Sequence, residues 1–135
     1  MQTLPLRLLP GQDLREALEA VLGEQAASAA FVLQGIGSLS VAQLRLAGAE
    51  QATTLVGDLE ILTLAGSLAP DGAHLHMSIS DTQGRVFGGH VAAGCIVRTT
   101  AEILVAVLPD HDFSRELDAA GSGFRELVVR PRKPT

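Results

Sequence analysis

The chain has 135 residues, of which 47% are hydrophobic, and it carries a formal net charge of −5. This composition is typical of one globular domain and excludes a disordered chain. The acidic balance and the absence of Trp and Tyr argue against a nucleic-acid-binding surface, which needs cations for phosphates and aromatic rings for bases.

The N-terminal part of the chain predicts a strand followed by the one principal helix. Residues 4–9 have a strand pattern, and Asp13 is placed to cap a helix of about residues 13–22. Gly23 is a natural stop for this helix. Its apolar residues recur with helical spacing and give it one buried face: Leu14, Leu18, Val21 and Leu22.

Strand patterns fill most of the remaining chain. They occupy residues 29–34, 41–46, 53–68, 74–80, 95–108 and 124–129. The glycines of residues 35–38 separate two of them, and residues 109–123 are polar and turn-like, with a short helical turn expected around 114–119. One helix among many strands with short connections predicts an α+β fold, mainly an antiparallel sheet, as a single domain over residues 1–135. Residues 130–135 are predicted to be a flexible basic tail.

The segment from His74 to His90, HLHMSISDTQGRVFGGH, predicts a β-hairpin. Alternation at period two places His74 and His76 on the polar face of its first strand. Residues 82–84 suit a three-residue loop that ends at Gly84 in the left-handed conformation. This loop pairs His76 with His90 on one face, whereas a four-residue loop would turn His90 away. The other predicted pairs are Asp81–Arg85, Ile79–Phe87, Ser78–Gly88, Met77–Gly89 and Leu75–Val91.

Three histidines of this hairpin therefore converge, namely His74, His76 and His90. Imidazoles at i and i+2 of a strand lie about 6.6 Å apart at Cα, so both can reach one ion at about 2.0–2.1 Å. A third imidazole from the paired strand gives a facial set with open positions, as in catalytic zinc sites. The sequence predicts a site for zinc, another divalent first-row metal or a small ligand, with Ser78 and Gly88 as candidate ligand contacts. Hydrogen-bonded histidines on a polar sheet face or at a subunit interface are the alternative.

Charged residues elsewhere add candidates for chemistry. Glu60 and Glu102 interrupt apolar strands, and a buried carboxylate needs a partner. Each is therefore a candidate fourth metal ligand or general acid/base, while a solvent-facing edge position is the alternative. Arg115 is a candidate anion-binding residue, or else the partner of Asp118 in a structural salt bridge.

The cysteine content and the apolar runs bear on the compartment. The single cysteine, Cys95, excludes an internal disulfide and is typical of a reducing compartment. It lies in a strand without a basic neighbour before Arg98, which predicts an inert core thiol. No apolar run reaches the roughly 18 residues of a membrane span, and the N-terminus lacks the order of a signal peptide. We therefore expect a cytoplasmic protein.

Several segments together resemble the plants-and-prokaryotes-conserved (PPC) domain family in its stand-alone prokaryotic form. They are RLLPGQDL at 7–14, GIGSL at 35–39, EILTLAGSL at 60–68, the histidine hairpin at 74–90 and TAE at 100–102. The resemblance covers nearly the whole chain, and the combination of HLHMSISD with GGH is its specific part.

The resemblance implies a fold and an assembly. The expected fold is an antiparallel sheet flanked by a helix, similar to the fold of acetolactate decarboxylase, a zinc enzyme with a histidine cluster. The expected assembly is a homotrimer, and the high Leu, Val and Ala content independently favours a homo-oligomer. In plants the domain follows an AT-hook that contacts DNA, and it supplies trimerisation and partner binding. Stand-alone prokaryotic members carry no AT-hook.

These observations favour a trimeric regulatory or partner-binding scaffold with a histidine-lined metal or small-ligand site. Its expected partners are its own copies, a small molecule or a protein, and no membrane. One alternative is a zinc-dependent enzyme acting on a small carboxylate or keto acid, with Glu60 or Glu102 as the proton shuttle. The other is non-specific DNA binding, which the family's usual description and the basic tail favour and the net charge disfavours.

Overall fold

The computed structural model describes residues 1–134. Its elements, in chain order, are β1 (Gln2–Leu8), α1 (Leu14–Glu19), α2 (Val21–Glu24), β2 (Ala30–Arg45), β3 (Thr53–Ala69), β4 (Gly72–Ser80), β5 (Val86–Val91), β6 (Ile96–Val107), β7 (His111–Leu117) and β8 (Arg125–Pro131). Every strand pairing between these elements is antiparallel. The predicted α+β class, a mainly antiparallel sheet with one short helical unit, is confirmed.

Six strands form the main sheet, in the order β1-β6-β2-β3-β4-β5, and β7 pairs with β8 in a separate ribbon. The sheet curls back on itself, because the end of β2 also pairs with β5 through Leu44–Val91 and Arg45–His90. In the sheet order β2 and β5 are separated by β3 and β4, so this second pairing joins strands that are not neighbours in that order. It brings the end of β2 beside the histidine hairpin.

The two strands predicted at 29–34 and 41–46 are one continuous strand, β2, so the predicted break at residues 35–38 is wrong. The glycines there lie in an irregular part of the strand. The register of β2 with β6 shifts before Gly35 and again after Gly37. A Cβ at Gly37 would lie 2.3 Å from the Thr100 carbonyl oxygen, and its φ is +152°. These glycines therefore permit close backbone approach within a strand that continues through them.

The helical segment begins as predicted, but it is divided at Ala20 into α1 and α2, and it ends later. Asp13 caps α1, because its side chain accepts a hydrogen bond from the Glu16 N–H at 3.1 Å. The prediction that Gly23 ends the helix is wrong, since α2 continues past it. The chain instead leaves the helix at Ala26, which has a φ of 50°, and the Ala27 N–H donates to the Leu22 carbonyl at 2.9 Å. This bond is the six-to-one closure typical of a helix C-terminus.

Residues 111–117 form strand β7, so the helical turn predicted around 114–119 is wrong. Phe113 is buried and packs edge-on against Phe31, with ring centroids 5.8 Å apart. The burial of this aromatic pair anchors the ribbon on the main sheet.

Part of the predicted flexible tail also belongs to the ribbon. Arg130 and Pro131 lie in β8, opposite Asp112 and His111. Arg130 pairs with Glu116 at 2.7 Å, and its guanidinium, followed by the Ser114 hydroxyl, lowers the pKa of that carboxyl to about 2. The tail is therefore ordered at its start, and its last residue, number 135, lies outside the described residues.

The core lies between the curled sheet and the helical unit. α1 places two fully buried leucines, Leu14 and Leu18, against it, and β4 contributes Leu75, Met77 and Ile79 from its apolar face. Burying one such side chain stabilises the fold by about 1.5–3 kcal/mol, so the core fixes β4 in its register. Cys95 is also fully buried, and burial raises the pKa of its thiol, in agreement with the inert role predicted for it. None of the helices within residues 1–134 has the length and hydrophobicity to span a bilayer.

Candidate metal centre

The hairpin of β4 and β5 has the register that the sequence predicts. The observed pairs include His76–His90, Met77–Gly89, Ser78–Gly88 and Ile79–Phe87. The predicted Leu75–Val91 pair is absent, since the pairing of β4 with β5 ends at His76–His90. His90 and Val91 pair with Arg45 and Leu44 of β2.

The turn explains why this register holds. Gly84 is left-handed, with a φ of 77°, as a three-residue loop requires. Asp81 accepts hydrogen bonds from the Gln83 and Arg85 N–H groups, and its second carboxylate oxygen accepts from the Arg85 guanidinium at 2.7 Å. Desolvation raises the pKa of Asp81, but these bonds together outweigh it and hold that pKa below its ordinary value. The loop length, and with it the orientation of His90, is fixed locally.

His74, His76 and His90 converge on the polar side of the hairpin. One potential ligand atom from each imidazole lies within 4.8 Å of the other two. The His76 and His90 rings meet edge-on with centroids 4.4 Å apart, and His76 Nε2 lies 3.0 Å from His90 Nδ1. The His74 ring is 4.9 Å from His76 and 5.6 Å from His90. Among residues 1–134 this is the group of potential ligands that could hold a metal ion.

The distances fit a metal ion. Tetrahedral zinc with bonds of about 2.0–2.1 Å separates its ligand nitrogens by about 3.4 Å. The His76–His90 distance of 3.0 Å is already close to that value. The potential ligand atoms of the three rings lie within 4.8 Å of one another, so a shift of about an ångström in one ring brings all three to the spacing of zinc ligands. A shift of that size is within the range of side-chain rotation.

Two hydrogen bonds hold the three rings in place. His76 and His90 share one, and Arg115 Nη1 donates the other to His74 Nδ1 at 3.3 Å. Arginine can only donate, so the lone pair of His74 Nδ1 faces Arg115 and Nε2 carries the proton of the neutral ring. Either nitrogen of His74 can bind a metal only after the bond to Arg115 is given up. Each of these two hydrogen bonds is accepted by the lone pair of a ring nitrogen, and a metal ion would need that lone pair to bind the ring.

Neighbouring groups keep two of the imidazoles neutral. Partial burial lowers the pKa of His74, and the Arg115 guanidinium and the other two imidazoles lower it further, against a small opposing effect of Glu126. Burial also lowers the pKa of His90, followed by the effects of Arg45 and His76. Neutral imidazole is the form that binds metal, so protons compete weakly for these two rings near neutral pH.

We expect the metal-free protein to lose stability as the pH falls below about 6.5, the ordinary histidine value from which both pKa values are lowered. In that range the unfolded chain binds protons that the folded chain does not, so the free energy of unfolding decreases with decreasing pH. Urea unfolding at a series of pH values between neutral and mildly acidic measures the slope. The double substitution His74→Gln with His90→Gln should flatten it, and an equally steep slope in that variant would contradict the assignment.

The two carboxylates predicted as acid/base or ligand candidates lie away from the imidazoles. Glu60 is opposite Ser80, four residues along β4 from His76, which corresponds to about 13 Å. It is exposed, with Arg98 at 3.8 Å. Glu102 is exposed on β6, where it pairs with Arg7 of β1 and Ile36 of β2. Both side chains thus face solvent, as the alternative has it, but the edge position is wrong, since β3 and β6 are interior strands of the sheet.

The remaining candidates divide between the site and the surrounding sheet. Ser78 shares a hydrogen bond of 2.8 Å with Thr63, and the exposed Gly88 beside it would accept a Cβ at ordinary contact distances. Of these remaining candidates, Arg115 forms a hydrogen bond with an imidazole, that of His74. The salt bridge predicted between Arg115 and Asp118 is absent from the part of the chain that the structure describes, since Asp118 instead accepts from N–H groups of the turn after β7.

Arg45 belongs to the site but was not predicted. It lies directly opposite His90 in the pairing of β2 with β5, and it contributes to lowering the pKa of that histidine. The two residues are far apart in the sequence, and their contact depends on the curl of the whole sheet. The alternation of β2 alone could have placed Arg45 on the outer face of that strand, but not beside the hairpin.

Comparison with known proteins places the chain among relatives of several kinds. A family model described as the Plants and Prokaryotes Conserved (PCC) domain matches residues 1–109. Two proteins named Bifunctional protein GlmU, from two Synechococcus strains, are 48% and 50% identical to it over 131 and 129 residues. The match covers 97% and 96% of this chain but 21% of each of those proteins. The chain thus spans about a fifth of the length of these curated relatives.

Solved structures share the fold over almost the full chain. A protein from Salmonella enterica is 41% identical with a TM-score of 0.93, covering 98% of this chain and 95% of that one. The metal-containing protein AF0104 from Archaeoglobus fulgidus is 26% identical with a TM-score of 0.78, covering 95% and 94%. A candidate DNA-binding protein from Bacteroides thetaiotaomicron is 18% identical with a TM-score of 0.79, covering 95% and 91%, and this likeness shows the fold alone.

Proposed function

Since the chain belongs to the Plants and Prokaryotes Conserved (PCC, also written PPC) domain family, we propose that it is a homotrimeric metal-binding member of regulatory or partner-binding type. His74, His76 and His90 would hold a divalent first-row ion, with zinc as the first candidate. The observation that carries this proposal is the convergence of three imidazoles, with ligand atoms within 4.8 Å of one another, on one face of a register-locked hairpin.

The chemistry of the donor set supports a transition metal. Imidazole nitrogen suits zinc, copper, iron and nickel, whereas magnesium and calcium prefer oxygen. A set of three histidines leaves a coordination position for a small ligand, which an ion held there would bind as a Lewis acid. The relative from Archaeoglobus fulgidus, described as metal-containing, supports the same proposal at 26% identity.

Metal content tests this proposal. Untagged protein is loaded with zinc, dialysed against metal-free buffer and analysed for metal and for protein. We expect close to one ion per chain, because one chain supplies all three imidazoles. Less than a tenth of an ion per chain, in protein that is folded by circular dichroism, would overturn the metal assignment.

We propose binding rather than catalysis because the candidate proton shuttles are elsewhere. Glu60 is engaged with Arg98, and Glu102 lies on β6, which pairs with neither strand of the hairpin. A general acid or base must come within hydrogen-bond reach of the reacting atom, directly or through one water. The occurrence of the same segment as a fifth of two larger bifunctional proteins supports a modular, partner-binding role.

The outer face of the main sheet supports self-association. Strands β1, β6, β2 and β3 place apolar side chains on the side away from the core. Four of them are between 39 and 50% exposed: Leu33, Ile36, Leu62 and Leu104. Pro5 pairs directly with Leu104, and both line an apolar hollow together with Ile36. Exposed apolar faces of this kind mark protein–protein contacts, and we assign this face to the trimer.

We expect static light scattering to give three times the 14.1 kDa mass of one chain. The substitution Ile36→Glu places a charge in the centre of the outer apolar face, and we expect it to yield a monomer, because burying an unpaired carboxylate costs several kcal/mol. Val86→Glu is the matched control, since Val86 is an exposed apolar residue of β5, outside that face. A monomeric wild type, or a trimer that tolerates Ile36→Glu, would contradict the assignment.

DNA binding is the second candidate, favoured by the related fold of the Bacteroides protein described as a candidate DNA-binding protein. The net charge of −5 acts against it. Two cations of the basic segment are also neutralised, since Arg130 pairs with Glu116 and Arg132 lies 3.9 Å from Asp112. Mobility shifts at low and moderate salt test it. A shift at low salt that weakens after removal of residues 130–135 would support DNA binding, and no shift at low salt would exclude it.

A further inference from the structure

A pocket of about 460 Å³ opens beside the three imidazoles. His74 and His90 form part of its wall, and four arginines line it: Arg15, Arg45, Arg115 and Arg125. Two carboxylates, Glu50 and Asp71, are the acidic members of the lining, so the pocket has an excess of positive charge. Its volume lies within the range of small-molecule sites.

Two of the four arginines already have a carboxylate partner. The Arg15 guanidinium bonds to Glu19 at 2.6 Å and to the carbonyls of Val91 and Ala73 at 2.8 and 2.9 Å, so it ties β4 and β5 to α1. Arg125 pairs with Asp71 at 3.3 Å. Both are structural cations.

Arg45 and Arg115 differ from these two. Neither guanidinium has a carboxylate partner within residues 1–134. Arg45 Nη1 donates to the Ala49 carbonyl at 3.2 Å, and Arg115 Nη2 donates to the Arg125 carbonyl at 2.8 Å. Each guanidinium carries five donor hydrogens, so both keep donors for a further acceptor. Half-buried cations without a counter-ion are costly, which points to a ligand that supplies the negative charge.

Each of the two arginines lies beside a different imidazole of the same pocket. Arg45 lies opposite His90 across the β2–β5 pairing, and Arg115 contacts His74 at 3.3 Å. The Arg115–His74 hydrogen bond must break when His74 binds a metal, because both nitrogens of the ring are then committed. Metal binding therefore releases a guanidinium into the pocket and adds positive charge beside it.

We propose that Arg45 and Arg115 form a binding site for a small oxyanion, a carboxylate or a phosphate, in this pocket next to the histidine centre. The proposal rests on the proposed metal-binding function, whose ion would share the anion's charge. Guanidinium groups match the paired oxygens of carboxylate and phosphate with two parallel hydrogen bonds, so an oxyanion is preferred over a halide. The pocket accommodates a molecule of a few carbon atoms.

The test uses the intact protein loaded with cobalt(II), whose visible absorption reports entry of an anion next to the ion. Phosphate, malonate and chloride are titrated separately, and isothermal calorimetry gives the affinities. The variants are Arg45→Gln and Arg115→Gln, with Arg98→Gln as the control, because Arg98 is a half-exposed arginine of β6 that is paired with Asp58 and Glu60. Metal content is measured first for every variant.

We expect phosphate or malonate to change the spectrum, and each pocket variant to weaken binding by about 10- to 100-fold while retaining its metal. Arg98→Gln should bind as the wild type does. Whichever of phosphate and malonate binds more tightly identifies whether the natural ligand presents a phosphate or a carboxylate group. An unchanged spectrum with both, a response equal to that of chloride, or an affinity unaffected by Arg45→Gln and Arg115→Gln would overturn the anion site. Loss of metal from the wild type would instead overturn the metal-binding function.

Discussion

The substitution His76→Ala should abolish tight metal binding without unfolding the protein. His76 is the central ring of the three, with centroids 4.9 Å from His74 and 4.4 Å from His90, and its Nε2 faces His90 Nδ1 at 3.0 Å. Loss of a coordinating ligand should cost more than loss of an outer hydrogen bond to a ligand, which weakens metal binding by about 10- to 100-fold. We therefore expect at least a 100-fold loss of zinc affinity. Competition titration with a chromophoric chelator measures it.

The chain supplies its own control for this experiment. His111 is the fourth histidine, exposed on β7 and outside the convergent group. His111→Ala should bind zinc with the affinity of the wild type. Because His76 is also exposed, both variants should unfold near the wild-type temperature when metal-free. Equal affinities for His76→Ala and His111→Ala would remove the hairpin from the metal site.

The substitution Gly66→Ala should cause the largest loss of stability of any single methyl addition near the site. Gly66 lies on β3 with a φ of +154°, and a Cβ there would lie 2.0 Å from the His74 carbonyl oxygen and 2.8 Å from the Leu75 Cα. Both atoms belong to the backbone of β4, so the strands must separate. Overpacking and backbone strain each cost about 1–3 kcal/mol, and we expect a loss of about 3 kcal/mol or more. Thermal unfolding of the metal-free protein should show a midpoint lower by roughly 10 °C.

Gly88→Ala separates this effect from the addition of a methyl group as such. Gly88 lies on β5, which pairs with β4 on the side opposite to β3. The nearest atom to its added Cβ would be the Met77 carbonyl oxygen at 3.4 Å, an ordinary contact. We expect its stability within about 1 kcal/mol of the wild type. Gly66→Ala should also weaken metal binding, because it displaces the backbone that carries His74. A Gly66→Ala protein as stable as Gly88→Ala would contradict the close approach of β3 and β4.

The histidine hairpin could be predicted from the sequence because its determinants are local. Strict alternation assigned His74 and His76 to one face, and the requirement for a left-handed residue at Gly84 set the loop length. These two features predict His90 as the partner of His76, and the structure contains this pair. The position of the third ring therefore follows from a turn six to eight residues before it.

The errors arose where the conformation depends on distant contacts. The glycines of 35–38 have the composition of a loop, yet close packing against β6 and β3 holds them within one bulged strand. The polar residues of β7 have no strong strand pattern, and their conformation follows from pairing with β8 and from burial of Phe113. Tertiary packing overrides local preference in both places.

The same distinction separates the predicted from the unpredicted parts of the site. Arg115 could be proposed as an anion-binding residue from its position in a polar segment, but its contact with His74 depends on the docking of the β7–β8 ribbon. Arg45 reaches His90 only through the closure of β2 onto β5. The three convergent imidazoles are thus encoded in one hairpin, whereas the charged wall of the pocket is assembled from three separate parts of the chain.

The most direct test of the histidine centre is crystallographic. Crystals of the zinc-loaded protein are measured on both sides of the zinc absorption edge, and the anomalous difference map locates the ion. We expect one strong peak per chain, at about 2.0–2.1 Å from a nitrogen of each of His74, His76 and His90, with Arg115 released from His74. A fully loaded crystal with its zinc bound elsewhere, or with His90 turned away from the ion, would contradict it.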